Sequence, residues 1–533
     1  MAQILLKQFS SVYTRTKSKE MPPVTLNCKE SLTEITIDVA GVQKLLSEIK
    51  PHKANGPDDI PNLVLQNCAS ELAPGITCIF QKSLDSGTLP KDWTDANVTP
   101  VFKKGDRHIA ENYRPVSLTS VLSKTLEHIV CHSMHAHFDQ NNILTKVNHG
   151  FRAGYSCGTQ LTIVVDDVAK NNHDDVQTDI GVLDLSKAFD TVPHDKLLHK
   201  LQCYGIRGNL HQWIQSFLCQ RHMRVLVDGE ASTEETVDSG VPQGTVLGPL
   251  LFLCHINDLP DVVTSHVRLF ADDCLIYRHI RSNIDSEALQ KDLKQLEKWA
   301  IDWGMTYNAK KCYILSVNNK GLNYPYQLNN HTLQLVESTP YLGVTLTKDL
   351  TWGKHINIIN NKASSTLGLI RRNLGNCPQQ CRKTAYTSLV RSIFQYASTV
   401  WDPYLEQDIE VLEKTQKKAA RFITGNYHSR EPGSMTQMLK ELDLPMLKQR
   451  RKEDRLCLMY KIERGLVPAI PKDTYLKPIR EKRKVKAKTF TDCETKNFVE
   501  KYQNLHSNCF EAISTPNKTY SNSFFPRTSS LKT

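Results

Sequence analysis

Two adjacent aspartates, Asp272 and Asp273, stand inside the otherwise apolar run LFADDCLIYR at residues 269–278. An isolated ionised carboxylate in a dry core costs several kcal/mol, so such a pair must be partnered, protonated or bound to a metal. The flanks VRLF and CLIYR are rich in β-branched and aromatic residues and read as two strands meeting at the acidic pair. Aspartates without chemistry are common at hairpin turns. Two readings therefore stay open at this point, an ordinary acidic turn or a set of metal ligands.

From about residue 97 to 345, short β-branched runs alternate with helical stretches, which predicts an α+β core. IGVLDLSKAFDTV (180–192) starts as a strand and bends after Asp184, while RVLVDG (224–229) and TVDSGVPQG (236–244) read as hairpin material. Asp285 or Ser286 is placed to cap a helix with apolar residues at Leu289, Leu293, Leu296, Trp299 and Trp303, and Gly304 to stop it. Upstream, VAGVQKLLSEIK (39–50) predicts an amphipathic helix, KANGPDDIP (53–61) a break, and 63–92 a helix pair. Beyond 350 the pattern becomes helical. In IEVLEKTQKKAARFITG (409–425), Ile409, Leu412, Ala419 and Ile423 fall to one side, with Lys414, Lys417, Lys418 and Arg421 largely elsewhere. That basic face is either solvated or turned towards nucleic acid. Residues 490–533 show little periodicity and are expected to be a poorly ordered or truncated end.

Basic residues outnumber acidic ones, 67 against 56, for a net charge of +11. The excess is densest over 446–488, in KQRRKEDR and REKRKVKAK. Such a surplus suggests a polyanionic partner through counterion release, with a solvated tail as the alternative. No apolar run reaches the roughly 18 residues of a membrane span, so no membrane partner is expected. The N-terminus MAQILLKQFSSVYTRTK lacks a clear cleavage site, which points to the nucleus or cytoplasm. KRKVKAK is a candidate nuclear targeting signal. The 15 cysteines are scattered singly, and the nearest pair, Cys377 and Cys381, has no neighbouring cluster to complete a zinc site. Reduced thiols fit that pattern.

Asp184, closing the apolar strand GVLD, supplies a candidate third carboxylate. A strand-end aspartate facing a hairpin-tip pair can hold hard divalent cations, since Mg²⁺ takes carboxylate, phosphate and water oxygens. Two such ions about 3.5–4 Å apart stabilise the attacking and leaving oxygens of an in-line phosphoryl displacement. Bound metal also removes the like-charge penalty of neighbouring carboxylates.

Six blocks surround these residues in one order: NYRPVSLTSVLSKTLEHIV, HGFRAGYSCGTQL, LDLSKAFDTVPHDKLL, SGVPQGTVLGPLLFLCHINDLP, FADD and YLGVTL. Together they resemble the reverse transcriptases of non-LTR retrotransposons, most nearly the LINE-type, jockey-like elements. The resemblance covers residues 40–345 strongly and the helical remainder more loosely. It implies an RNA-directed DNA polymerase with a right-hand fold: fingers and palm with antiparallel sheet, then a helical thumb and C-terminal extension. Its partners would be an RNA template, a DNA primer and dNTPs, and its cofactor two Mg²⁺ ions, with Mn²⁺ as a substitute.

The same resemblance implies roles residue by residue. Asp184 and Asp272 match the principal metal-binding aspartates, Asp273 completes the triad, and the main-chain carbonyl of Leu185 is a further ligand. Phe189 matches the bulky residue beneath the incoming sugar. Pro242, Gln243 and Gly244 match a turn near the nascent base pair, where glycine permits a tight backbone. Arg114, with Lys103 or Lys104, matches the cations on the triphosphate, where charge accumulates on the leaving group. Lys311, with Lys310 competing, resembles the donor of a proton to pyrophosphate. YLGVTL resembles a primer-gripping hairpin.

The implied organisation is an N-terminal extension (1–50), a fingers-like region (51–180), a palm with interleaved fingers elements (181–345), a helical thumb-like region (346–470) and a basic tail (471–533). Relatives of this kind usually carry an upstream endonuclease domain, and only residues 1–50 precede the fingers here. A fragment or degenerated copy of an element is therefore the expectation. Two alternatives remain: a catalytically silent nucleic-acid-binding remnant, and an intron maturase-type polymerase, for which the helical tail carries no strong signature.

Overall fold

Two five-stranded sheets organise the protein in the computed structural model, which describes residues 1–14, 21–219, 221–429, 431–476 and 523–529. The first sheet starts from β1 (Asp95–Phe102) and β2 (Tyr113–Leu118), an antiparallel pair in which Val101 faces Arg114. The second is centred on β3 (Gln177–Asp184). A later strand, β4 (His222–Val227), returns to the first sheet and runs parallel to β1. The Asp228–Gly229 turn that follows has both residues at positive φ, 51° and 85°, which suits the type I′ hairpin the sequence suggests. The hairpin expected over 236–244 does not form. Only Glu235–Thr236 pairs with β4, and from Gly240 onward the backbone bonds go to Val192, Phe189 and β2 instead.

The central sheet adds β5 (His266–Phe270), β6 (Asp273–Ile280), β7 (Tyr313–Val317) and β8 (Gln334–Val336), in the order β8-β7-β3-β6-β5. All its pairs are antiparallel except β7 with β8. Its inner strands β7, β3 and β6 are buried on both faces over most of their length, so they read as continuous apolar runs rather than as alternation. Alternate residues nevertheless serve two separate cores. Ile180, Leu275, Tyr277 and Leu315 pack with the helix Cys157–His173 and the C-terminal helices. Leu183, Cys274, Ile276 and Ile314 join the core containing the helices Gly248–Ile256 and Asn283–Trp303. Strand parity then puts Asp184 and Asp273 on the face of Ile180, Leu275 and Tyr277, at the strand ends.

The helix Asn283–Trp303 buries Leu289, Leu293, Leu296, Trp299 and Trp303 as expected and ends at Gly304, φ 75°. Its cap differs from expectation. Ser282 is the N-cap, and Asp285 is its reciprocal partner three residues on, accepting from the Ser282 amide at 3.1 Å. Further on, β9 (Ser338–Tyr341) and β10 (Val344–Thr347) form the hairpin of YLGVTL, turning at Leu342 and Gly343 with φ 44° and 79°.

Helices dominate beyond 350, around the buried Trp401, Leu412 and Ile423. On Glu406–Thr424 the side chains of Lys414, Lys417 and Lys418 are exposed opposite this core. The basic run KQRRKEDR is only partly a surface. Arg451 and Arg455 are buried and meet Asp402 at 2.6 and 3.2 Å, so they hold the helix Leu447–Glu463 in place. KRKVKAK lies outside the described residues, as do 490–522 and 530–533 of the aperiodic end. Between those last two stretches the expectation fails: Phe524–Ser529 is a short helix with Phe524 and Phe525 buried. Among the described residues no helix is long and apolar enough to cross a membrane.

Candidate active site

The acidic centre is assembled by strand register. Asp184 is the last residue of β3 and lies directly opposite Asp273, the first of β6. Opposite residues of an antiparallel pair point to one face about 4.5–5.5 Å apart, so two residues distant in sequence share a site. Phe270 and Asp273 close the hairpin, which leaves Ala271 and Asp272 as its two-residue tip. Ala271 takes φ 52°, a left-handed conformation that costs a non-glycine residue about 1 kcal/mol.

What holds the tip in that shape is the segment 147–150, of which the sequence motifs include only His149 and Gly150. The Leu269 amide donates to the Val147 carbonyl at 3.0 Å, and the His149 amide to the Leu269 carbonyl at 2.9 Å. The Asn148 side-chain oxygen accepts from the amides of Gly150 and Ala271 at 3.1 and 3.2 Å. Gly150 runs so close that a Cβ there would lie 2.5 Å from the Ala271 nitrogen. The available signal was NHG at 148–150, a short turn-forming stretch whose last two residues open HGFRAGYSCGTQL.

Charges of both signs converge on the acidic centre. Asp273 meets solvent, yet the surrounding protein mass and the charges of Asp272 and Asp184 push its carboxyl up to about 6. Burial and Asp184 raise Asp272 as well, against Arg114 and Lys103. Lys311 Nζ lies 3.6 Å from Asp184. Lys103 is lowered by burial and by the cations Arg114 and Lys311. Arg114 and Lys103 reach the cleft from one β-ribbon, because the Lys103 amide extends the β1–β2 pairing to the Asn112 carbonyl at 2.8 Å. Lys104 and Lys310 are exposed neighbours of these positions, and Lys311 is the one ion-paired to Asp184.

Leu185 forms an isolated bridge with Tyr307 whose bonds are carried by its neighbours: Ser186 donates to Thr306 and Asn308 donates to Asp184, each at 2.8 Å. That pattern turns the Leu185 carbonyl away from Tyr307. Phe189 is half-buried and stacks on Phe252 with ring centroids 4.2 Å apart, and Phe151 meets it edge-on at 6.2 Å. Phe151 is exposed, a second aromatic at this wall that sequence reasoning missed.

The Pro242–Gly244 turn is bolted to both neighbours. The Gln243 amide side chain donates to Asp190 at 2.7 Å, and the Ser117 backbone amide of β2 donates to the Gln243 carbonyl at 2.7 Å. Gly244 has φ 104°, and a Cβ there would lie 2.6 Å from the Ser117 carbonyl oxygen. The Pro242 carbonyl accepts the Thr245 hydroxyl at 2.7 Å. Below the turn, buried Glu127 accepts the amides of Val246 and Leu247 at 2.7 and 3.0 Å, beside the start of the helix Gly248–Ile256. Carboxylate charge at a helix start is favourable.

The family profile described as "Reverse transcriptase (RNA-dependent DNA polymerase)" matches residues 101–346. The chain carries a reverse transcriptase domain. Its matched span contains every residue of the cleft described above, from Lys103 to Lys311. The chain is 28% identical over 415 residues to the RNA-directed DNA polymerase from mobile element jockey of Drosophila melanogaster, covering 74% of this chain and 44% of that protein. It is 27% identical over 483 residues to the probable RNA-directed DNA polymerase from transposon BS of the same species, covering 84% and 52%. A third relative, the probable RNA-directed DNA polymerase from transposon X-element, is 27% identical over 389 residues, covering 70% and 42%. The chain thus spans about half the length of the curated relatives it matches.

The donor set of the reverse transcriptase domain suits hard divalent ions. Its groups are carboxylate oxygens, and two of the carboxylates are raised by burial and mutual repulsion that a cation would relieve. The three carboxylates are not drawn tightly around one point. Among the described residues, the group with ligand atoms all within 4.8 Å of one another is Asp95, His222 and Glu234, at the edge of the first sheet. Asp95 and His222 are half-buried and Glu234 is exposed, and no second feature accompanies them.

Proposed function

We propose that this chain is an RNA-directed DNA polymerase of a non-LTR retrotransposon, joining dNTPs to a primer 3′-hydroxyl on an RNA template. The observation that carries the reading is the register pair Asp184–Asp273 with Asp272 at the adjoining tip, facing Arg114 and Lys103 across one cleft. Asp184 and Asp272 are the principal holders of two Mg²⁺ ions, or of Mn²⁺ in their place, with Asp273 and the Leu185 carbonyl completing the set. Ions bound there would supply charge neutralisation at the attacking and leaving oxygens.

The remaining work falls to positioning. Arg114 and Lys103 hold the triphosphate, since their charges already bear on the aspartates; Lys104 stands further off as the lesser candidate. Lys311 Nζ offers a proton to the departing pyrophosphate oxygen from its place beside Asp184. Phe189, braced on Phe252, lies beneath the sugar and refuses a 2′-hydroxyl. Pro242, Gln243 and Gly244 present a fixed turn to the nascent base pair. In this reading residues 51–180 serve as fingers, 181–345 as palm with the 338–347 hairpin at the primer, and 346–470 as thumb, flanked by extensions at 1–50 and 471–533. The polymerase works in the nucleus or the cytoplasm.

Primer extension on a primed RNA template with dNTPs and Mg²⁺ tests the reading, run beside Asp184→Asn and Asp272→Asn. Extension by the wild type that both variants lose supports it. Tight binding of primer–template without extension, under varied metal and salt, would instead mark a silent nucleic-acid-binding remnant.

A further inference from the structure

Away from the acidic cleft, a cavity of about 530 Å³ opens among the helices Gly353–Leu374, Gln379–Ala385 and Glu406–Thr424. Its walls carry Arg371, Arg372 and Arg382, the rings of Phe422 and Tyr427, and Gly368. The size falls within the roughly 300–1,000 Å³ of small-ligand pockets. Among the described residues none of the three arginines makes an ion pair with a carboxylate.

Part of this has a plain structural cause. Arg371 and Arg372 occupy the last turn of their helix, where a cation complements the dipole. The dipole does not explain the other features. The Arg371 guanidinium lies over the Tyr427 ring, 5.7 Å from its centre, and Tyr427 is 45% exposed, so the tyrosine keeps surface open to solvent beside the charge. Arg382 is fixed by its bond to the Phe422 carbonyl at 2.8 Å and by the Phe422 ring at 5.6 Å, and its Nε has no protein partner. Gly368 lies inside a helix, where glycine costs about 1 kcal/mol relative to alanine. A Cβ there would meet the Arg372 guanidinium at 3.6 Å, an ordinary contact, so space alone does not require glycine at this wall.

Guanidinium groups recognise phosphate through paired donors, and an open aromatic face stacks any base. We propose that this cavity holds one unpaired nucleotide of a single-stranded nucleic acid, its phosphate on Arg371, Arg372 and Arg382 and its base on Tyr427. Binding there needs no chemistry at the aspartates, so it is separable from polymerisation.

The test uses the full chain without dNTPs, titrated into labelled single-stranded RNA, single-stranded DNA of the same sequence, and blunt duplex. Wild type, Tyr427→Ala and Arg372→Gln are compared, both substitutions falling on exposed side chains, with unfolding midpoints checked alongside. Each variant should weaken single-strand binding about tenfold, as expected for one lost stacking or phosphate contact, and leave duplex binding within about twofold. A 2-aminopurine in the single strand should be quenched by wild type and not by Tyr427→Ala. Weakening on RNA alone would identify RNA as the source of the nucleotide, and weakening on both strands a site indifferent to sugar. Unchanged single-strand affinity in both variants, or equal losses on duplex, would overturn the proposal.

Discussion

The side-chain oxygen of Asn148 accepts a hydrogen bond from the backbone amide of Ala271, at 3.2 Å, immediately before the acidic pair. Asn148 is buried, Ala271 is held at positive φ, and the same oxygen also takes the Gly150 amide. Asn148 is therefore a positioning residue for Asp272 and Asp273. Asn148→Ala should lower kcat for extension by about 10²-fold, as a misplacement near 1 Å does, with the KM for dNTP little changed. Asn148→Ser keeps a side-chain acceptor without adding a charge beside Asp272 and Asp273 and should recover part of the rate. Steady-state kinetics on the three proteins, with unfolding midpoints alongside, decide the matter; equal damage from both substitutions would show that the carboxamide oxygen is not what matters.

Phe189 is braced by its stack on Phe252 and meets Phe151 edge-on. Phe189→Ala should therefore open room under the sugar without unseating the cleft. Incorporation of ribonucleotides relative to deoxyribonucleotides should rise by roughly tenfold or more, the order that contact with one small group commands. Single-nucleotide addition with each substrate measures the ratio. An unchanged ratio would remove Phe189 from sugar selection.

Asp273 titrates near 6 when metal-free, above its ordinary 3.8, because burial and the adjacent carboxylates favour the protonated form. The folded state then binds more protons than the unfolded one between those values, so the stability this group contributes falls as pH rises from about 4 to 6. At neutral pH the ionised cluster is a liability that divalent cations relieve. Thermal melts should show Mg²⁺ raising the midpoint at pH 7.5 and much less at pH 5. A Mg²⁺ shift of equal size at both pH values would contradict the protonation of this site.

Asp402 carries two buried arginines of the helix Leu447–Glu463. Asp402→Ala strands the buried Arg451 guanidinium without its carboxylate, a change that costs about 3–5 kcal/mol. Chemical denaturation should report that loss. Lys452→Ala, on an exposed side chain of the same basic run, should cost less than about 0.5 kcal/mol.

Local features were legible and Asp184 was already grouped with the acidic pair, but the contacts that build the site were not legible. The hairpin at Asp272 could be read because β-branched and aromatic runs flank a polar break, and the helix 283–303 because its apolar spacing is regular. The pairing of Asp184 with Asp273 lies beyond local pattern, since strand register between distant segments is set by the packed sheet. Asn148 escaped for the same reason: its bond to Ala271 joins segments with no shared periodicity. Ser282 was passed over because Asp285 is an equally good capping residue, and only the backbone decides which of the two starts the helix. The charge run at 448–455 looked like one surface, but helical geometry turns Arg451 and Arg455 inward onto an acid from another segment. The 236–244 stretch had the glycines and alternation of a hairpin, while its hydrogen-bond partners were already supplied by β2 and the 189–192 loop.

The strand β2 carries Arg114 near its start and Ser117 near its end, and Ser117 is bonded to the Gln243 carbonyl. Gln243 in turn holds Asp190, the neighbour of Phe189. Arg114, the 242–244 turn and the segment of Phe189 are thus joined in one bonded chain. A displacement that begins at the arginine therefore has a bonded route to the turn and, through Gln243 and Asp190, to the residue beside the aromatic ring.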